Sequence, residues 1–329
     1  MRSNVFFTAS MLFAVMASSA TAEFDTTDCK YLLPVCAEQS PYFFAATEYL
    51  SWKASQPGND FAVSESGNAL IVGDGDVHRA TLDTDSGFRA QIGYMTSTGW
   101  SVSGSYTYFD ADGTARADRP AGAGQLFATR SHPDGNLEAD TATGFTSLDY
   151  NVFDLVFRRS VNQTAFSDLR VFGGVRWASI DQLLRTELDG RDFNDAVIEN
   201  TTSVNAAGIR VGSDTTWRLA KGFFLYGQAS GGLLFAESST QQVETDFSGT
   251  DLLVNLNDQR DRSLPFLDTR LGIGWSRKNI SVTAGYELEN WFGLQDRSLF
   301  VDNVHEGAFA SVSDDIMLSG FFLRMTVQH

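Results

Sequence analysis

Beyond residue 22 the chain has no run of 18 apolar residues, which excludes a helical membrane span. Basic residues are also scarce. Against 41 Asp and Glu stand 24 Lys and Arg, and the net charge of −17 repels nucleic acid and removes it as a partner. Histidine is rarer still: His78, His132, His305 and His329 are the only four. Cysteine is limited to Cys29 and Cys36, too few for a ligand cage without nearby histidine, so no metal site and no cofactor is expected. A disulfide closing that short loop in an oxidising compartment is the plainer expectation. What the chain does have is glycine, 29 residues, and phenylalanine, 26. Glycine inside apolar segments argues against helix, where each one costs ~1 kcal/mol relative to alanine.

The first residues read as an export signal. Arg2 supplies the positive start, Val5 to Val15 a short apolar core, and Ala20-Thr21-Ala22 a small-x-small cleavage site. Cleavage after Ala22 removes one basic residue and no acid, so −17 becomes −18. No Leu-x-x-Cys overlaps the site, which sets a lipoprotein aside. The expected organisation is a signal peptide at 1–22, a periplasmic segment carrying Cys29 and Cys36 at 23–41, and one domain at 42–329.

Within that domain the dominant period is two. Ile280, Val282, Ala284, Tyr286 and Leu288 alternate with Ser281, Thr283, Gly285, Glu287 and Glu289, and Phe321, Leu323, Met325 and Val327 alternate with Arg324, Thr326 and Gln328. Such alternation means strands with one dry and one wet side. Ten segments can be laid out: 42–54, 84–94, 99–110, 143–159, 165–186, 198–218, 222–238, 263–277, 279–293 and 317–329. The connections between them alternate short and long, the long ones near 55–83, 111–142, 187–197, 239–262 and 294–316. Hairpin order then places every short turn at one end and every long loop at the other, the asymmetry of an outer-membrane barrel. The expected fold is all-β: a transmembrane antiparallel up-and-down β-barrel of about ten strands, with eight to twelve compatible.

Two sets of side chains follow. Trp100, Trp217 and Trp275 fall next to short turns and Trp52, Trp177 and Trp291 toward the long loops, so all six are expected in aromatic girdles at the two membrane interfaces. The charged residues opposite the apolar stripes are expected to line the lumen: Glu48, Arg89, Asp154, Arg158, Arg170, Arg176, Arg210, Asp214, Asp268, Arg270, Glu287, Glu289 and Arg324. Against lipid, the basic ones would cost ~2–4 kcal/mol each near the midplane. Inside, they can form a charged constriction or a set of ion pairs that fills a narrow barrel.

Glu48-Tyr49-Leu50-Ser51-Trp52, Arg170-Val171-Phe172-Gly173-Gly174-Val175-Arg176-Trp177, and Gly285-Tyr286-Glu287 with Asn290-Trp291-Phe292 resemble the Legionella major outer membrane protein family. The resemblance spreads over most of the domain as a texture of aromatic and glycine positions. It implies a pore-forming outer-membrane barrel, passive diffusion of small solutes or ions, and a role in the envelope. His329 departs from the aromatic residue that usually ends such barrels.

The other function classes are a non-conducting structural or surface-interaction barrel and, remotely, an omptin-like surface protease. The protease needs acidic pairs and a histidine at the rim, for which Asp83-x-Asp85, Asp110-x-Asp112 and Asp76-x-His78 are the candidates. With no histidine on a strand to pair with a serine, no enzyme activity is expected. None of the acidic loop runs carries the terminal glutamate of a calcium loop. The expected partners are outer-membrane lipid, lipopolysaccharide and the barrel-assembly machinery, with the oligomeric state left open.

Overall fold

The computed structural model describes residues 41–67, 75–132, 138–300 and 309–329. The expected signal peptide, the 23–41 segment apart from Pro41, and the Cys29–Cys36 pairing lie outside the described residues.

Ten strands close into one barrel: β1 (Tyr42–Ser55), β4 (Thr84–Met95), β5 (Trp100–Asp118), β7 (Thr141–Gln163), β8 (Ser167–Gly190), β9 (Phe193–Arg218), β10 (Phe223–Asp246), β11 (Asp251–Arg277), β12 (Ile280–Phe300) and β13 (Phe309–Gln328). Each pairs antiparallel with its neighbours, and β1 closes the ring between β4 and β13. The seam runs to the last residue, since His329 N donates to Phe43 O at 2.9 Å. Three short strands, β2 (Asp60–Glu65), β3 (Gly75–Arg79) and β6 (Gln125–Ala128), form a separate sheet in the order β3-β2-β6 at the long-loop end.

The ten barrel strands match the ten expected segments one for one, but they run further. Residues 187–197 and 239–262, read as loops from their Asp, Asn and Ser content, continue the strand pairs β8–β9 and β10–β11 around tight turns. Above the lipid both faces of such a hairpin meet water or a polar interior, so polar residues no longer mark a loop. The 24 residues of β8 span ~80 Å at ~3.3 Å each. With a tilt of ~40° this is ~60 Å of height against an apolar band of ~25 Å, so the barrel stands well clear of the outer surface.

Parity decides each residue's side. Outward on β10 come Phe223, Leu225, Leu233 and Phe235, then Glu237; outward on β11 come Trp275, Ile273, Leu271 and Leu267, then Ser263 and Asp261. The inner face carries the charges and the bulk of the core. Phenylalanine rings inside lie flat over glycines, Phe44 across Gly93 and Phe224 across Gly274, where any Cβ would meet the ring at under 2.5 Å.

One expectation needs correction. Trp100, Trp177, Trp217 and Trp275 are outward and exposed, but Trp52 and Trp291 are fully buried inside the barrel. The reason is period two itself: Trp52 shares parity with Glu48, and Trp291 with Glu287 and Glu289, so neither indole can reach lipid while those carboxylates face inward.

Candidate functional site

Reading upward from the short-turn end, the inner face is ordered the same way on several strands. β1 presents Glu48, then Leu50 and Trp52, with Gln56 just past its end; β12 presents Glu287 and Glu289, then Trp291, then Gln295. The descending β7 gives the mirror order, Thr146, Tyr150, Asp154 and Arg158, and β11 gives Leu264, Phe266, Asp268 and Arg270. Neighbouring strands therefore stack into tiers: charge, ring and amide.

All thirteen charged residues expected in the lumen lie on the inner face. Nearest the short turns, Asp214 takes Arg158 at 2.8 Å and Arg170 at 2.5 Å. Above them Arg89 meets Glu48 at 2.5 Å and Glu287 at 3.3 Å, Arg270 meets Glu287 at 2.8 Å, and Arg324 meets Glu48 at 3.3 Å. Arg176 bridges Asp154 at 2.7 Å and Glu289 at 2.5 Å, while Arg210 bridges Asp154 at 2.5 Å and Asp268 at 2.8 Å. Five arginines thus face five carboxylates in two adjoining sets: Arg89, Arg270 and Arg324 around Glu48 and Glu287, and Arg176 and Arg210 among Asp154, Asp268 and Glu289. An isolated buried charge costs several kcal/mol, which pairing of this kind offsets only when nearly every partner is matched.

The ring tier was not anticipated. Phe109, Trp52, Tyr150, Trp291 and Phe266 form a chain of contacts across the lumen: 5.4 Å from Phe109 to Trp52, 6.1 Å from each tryptophan to Tyr150, and 5.2 Å from Trp291 to Phe266. None of the five is more than 3% exposed. The Tyr150 hydroxyl donates to Glu289 at 3.1 Å, fastening ring to charge. The indole N–H groups of Trp52 and Trp291 have no acceptor among the described residues. That costs ~1–3 kcal/mol each, but burying each ring gains more: ~200 Å² at ~25 cal/mol/Å² is ~5 kcal/mol. The tryptophans' shared parity with lumen carboxylates was the signal that would have located this tier.

Above the rings, amides close the bore. Gln56 Nε2 donates to Gln182 at 3.2 Å, Asn59 Nδ2 to Thr146 at 2.8 Å, and Gln295 Nε2 to Asn59 at 2.5 Å. The β3-β2-β6 sheet then packs Phe61, Ala62 and Leu126 against Leu184, Leu188, Phe193 and Ile198 on the inner wall of the raised β8–β9 hairpin. Arg130, in the loop after β6, donates to the Gly58 carbonyl; burial pushes its guanidinium down to about 10, Arg297 adds to the effect, and Asp60 and Asp314 oppose it. Glu244 on β10 latches the same loop: Ser131 Oγ donates to it at 2.6 Å, the His132 backbone N–H at 2.7 Å, and His132 Nδ1 lies 3.0 Å away. Serine and imidazole both address the carboxylate, so the imidazole does not stand between them as a proton relay would require.

Two of the acidic pairs considered for a protease meet at the rim, where Asp83 N donates to Asp112 O at 2.9 Å, but their side chains diverge. Asp110 and Asp112 point outward from β5, Asp85 points inward from β4, and His78 on β3 bonds Ser64 Oγ at 2.9 Å.

A family model described as Legionella pneumophila major outer membrane protein precursor matches residues 35–329. No curated protein matches the chain. Among solved structures, the outer membrane protease OmpT of Escherichia coli is similar at 11% identity, with 88% of this chain and 96% of that one covered and a TM-score of 0.50. Ail, the attachment invasion locus protein of Yersinia pestis, is similar at 11% identity over 88% of this chain and all of its own, with a TM-score of 0.27. A Pseudomonas aeruginosa FadL homologue is similar at 7% identity over 88% and 90%, with a TM-score of 0.25. At these identities the likeness is one of fold, and the last two superpose too loosely to carry weight.

Proposed function

The chain belongs to the Legionella pneumophila major outer membrane protein family and is a ten-stranded barrel of the bacterial outer membrane, and from that premise we propose that it is sealed at rest, a structural and surface-presenting barrel. The observation that carries this is the ring tier, where five buried aromatic side chains span the bore with the paired charges beneath them and the amides above. These rings belong to the wall strands themselves. Displacing a loop would not open the bore. Ten strands enclose little more room than the eight whose interior side chains fill completely. In this reading the chain has no catalytic role. Its partners are lipid and lipopolysaccharide along the wall, and the assembly machinery during insertion.

A passive pore for small solutes or ions is the second reading, supported by the family and by arginines and carboxylates that reach across the lumen, such as Arg176 on β8 and Glu289 on β12, the residue types of a selectivity constriction. Planar-bilayer recording of folded protein separates the two. Silence is expected for a sealed barrel; discrete, reproducible steps in the unmodified protein would overturn it in favour of the pore.

A further inference from the structure

Between β11 and β12 the wall is continuous only up to Phe266 and Trp291, where their ladder ends. Above that point β12 turns inward: its Asp296 accepts from Ser238 Oγ on β10 at 3.1 Å, and Arg297 meets Asp60 on β2 at 2.6 Å. β11 does not follow. It stays paired with β10 up to Asp251, and no described strand covers its other side. Burial marks the same open side. On the inner face Ser238, Thr240 and Gln242 of β10 are buried, whereas their cross-strand partners Arg260, Asp258 and Leu256 on β11 are half-exposed.

An uncovered strand turns every second N–H and C=O to the open side, a template for another chain. Proteins ordinarily blunt such an edge with proline, a bulge, lysine or inward charge. Here proline and bulge stand only at the two ends. Pro265 lies at the foot, and the register shift opposite Glu244 and Thr245 leaves Leu253 unpaired at the top. Between them, Val254 to Leu264 include no proline, glycine or lysine. The inward charges of this stretch are already matched, Arg260 by Asp258 and Arg262 by Asp296. Asp261, outward and exposed, is left without an ion pair among the described residues.

We propose that the free edge of β11 takes up an extended segment of another polypeptide as an added antiparallel strand over Val254 to Asp261. Main-chain hydrogen bonds hold the segment, and the alternation of its side chains selects it. Its inward positions face Val254 and Leu256 and are apolar; its outward positions face Asn255, Asn257 and Gln259 and are polar and neutral. A basic residue faces Asp261, in keeping with a net charge of −17 on the chain. The edge stands above the row of Trp177 and Phe235, clear of lipid and outside the bore, so it serves whether or not the bore conducts.

The test uses the detergent-folded protein and a labelled eight-residue peptide, lysine first, then valine and threonine in alternation. Fluorescence anisotropy should show saturable binding, and Asp261→Lys, a change at an exposed side chain, should weaken it about tenfold. Main-chain pairing has a readout of its own. N-methyl groups on the valines and on the threonines block opposite edges of the peptide, so one isomer should lose binding and the other keep it. No saturation by the parent peptide below ~1 mM, or equal behaviour of the two isomers, would overturn the assignment. Dimers of the protein that form without peptide and are dissociated by it would overturn it in favour of a second copy of β11.

Discussion

The guanidinium of Arg176 stands 4.2 Å over the ring centroid of Phe266. Here, as at the Tyr150–Glu289 hydrogen bond, the charged residues meet the ring tier, since the same arginine holds Asp154 and Glu289. Stacking at a desolvated site of this kind is worth ~2 kcal/mol, so the two layers are coupled.

Arg176→Met should therefore cost ~3–5 kcal/mol, because it leaves Asp154 and Glu289 buried without their main partner. Urea midpoints of the detergent-folded barrel, followed by tryptophan fluorescence, measure the loss. The triple variant R176M/D154N/E289Q should recover most of it, since it removes the stranded charges as well. A triple variant no better than the single one would mean that lost packing dominates.

Tryptophan position can be read with brominated lipids, which quench only indoles in contact with the chains. Single-tryptophan variants retaining Trp100, Trp177, Trp217 or Trp275 should be quenched, and those retaining Trp52 or Trp291 should not. Quenching at Trp291 would contradict the strand register on β12.

Opening the bore should require several rings at once. Trp52→Ala or Trp291→Ala alone should lower stability by ~3–5 kcal/mol and leave bilayers silent. The triple variant W52A/Y150A/W291A, if held folded in detergent, should give measurable conductance. Continued silence would place the seal at the amides and the β3-β2-β6 sheet.

Above Phe266 and Trp291 the β11–β12 ladder ends, and β12 bends at Gly293, which takes φ +67. Arg262 bridges the fork, donating to the Gly293 carbonyl at 2.6 Å, to Leu294 O at 3.1 Å and to Asp296 at 2.7 Å. Arg262→Ala should cost ~1–3 kcal/mol and speed amide exchange around residues 291–296. Lysine at this position should restore little, because a single ammonium cannot span both carbonyls and the carboxylate. Exchange unchanged from the parent protein would show that the fork does not depend on this side chain.

The buried Arg130 gives a pH dependence with a definite sign. Burial lowers its folded pKa to about 10, below the ordinary guanidinium range, so the unfolded chain binds more protons in that window. The cost of burying the charge is fully present below pH ~10 and is relieved as pH rises above that toward the ordinary guanidinium range. Arg130→Met should accordingly gain most, relative to the parent, near pH 8, and the gain should shrink by pH 11. A difference that does not vary with pH would show that the charge carries no such cost.

Period two is enough by itself to assign Glu48, Arg89, Arg176, Asp268 and Glu287 to the inner face, because alternation is a property of the strand backbone and the contrast between lipid and water enforces it. The same rule, applied to Trp52 and Trp291, turns them inward as well; their nearness to the long loops suggested an interface that parity forbids. Strand length was less legible, since above the membrane a hairpin such as 239–262 loses the apolar face that marks it in lipid.

The alternation along the chain was enough to point to an antiparallel barrel of about ten strands, with eight to twelve compatible, and to put the charged residues on the inner side of its wall. Only the tertiary structure decided that the bore is filled, that Tyr150 lies between two tryptophans from other strands, and that Arg262 clasps the fork. Local sequence dictates the direction of a side chain. Which side chains meet across a closed ring depends on strand number and register, and the ring closes only through the β1–β13 pairing, between residues more than 260 positions apart.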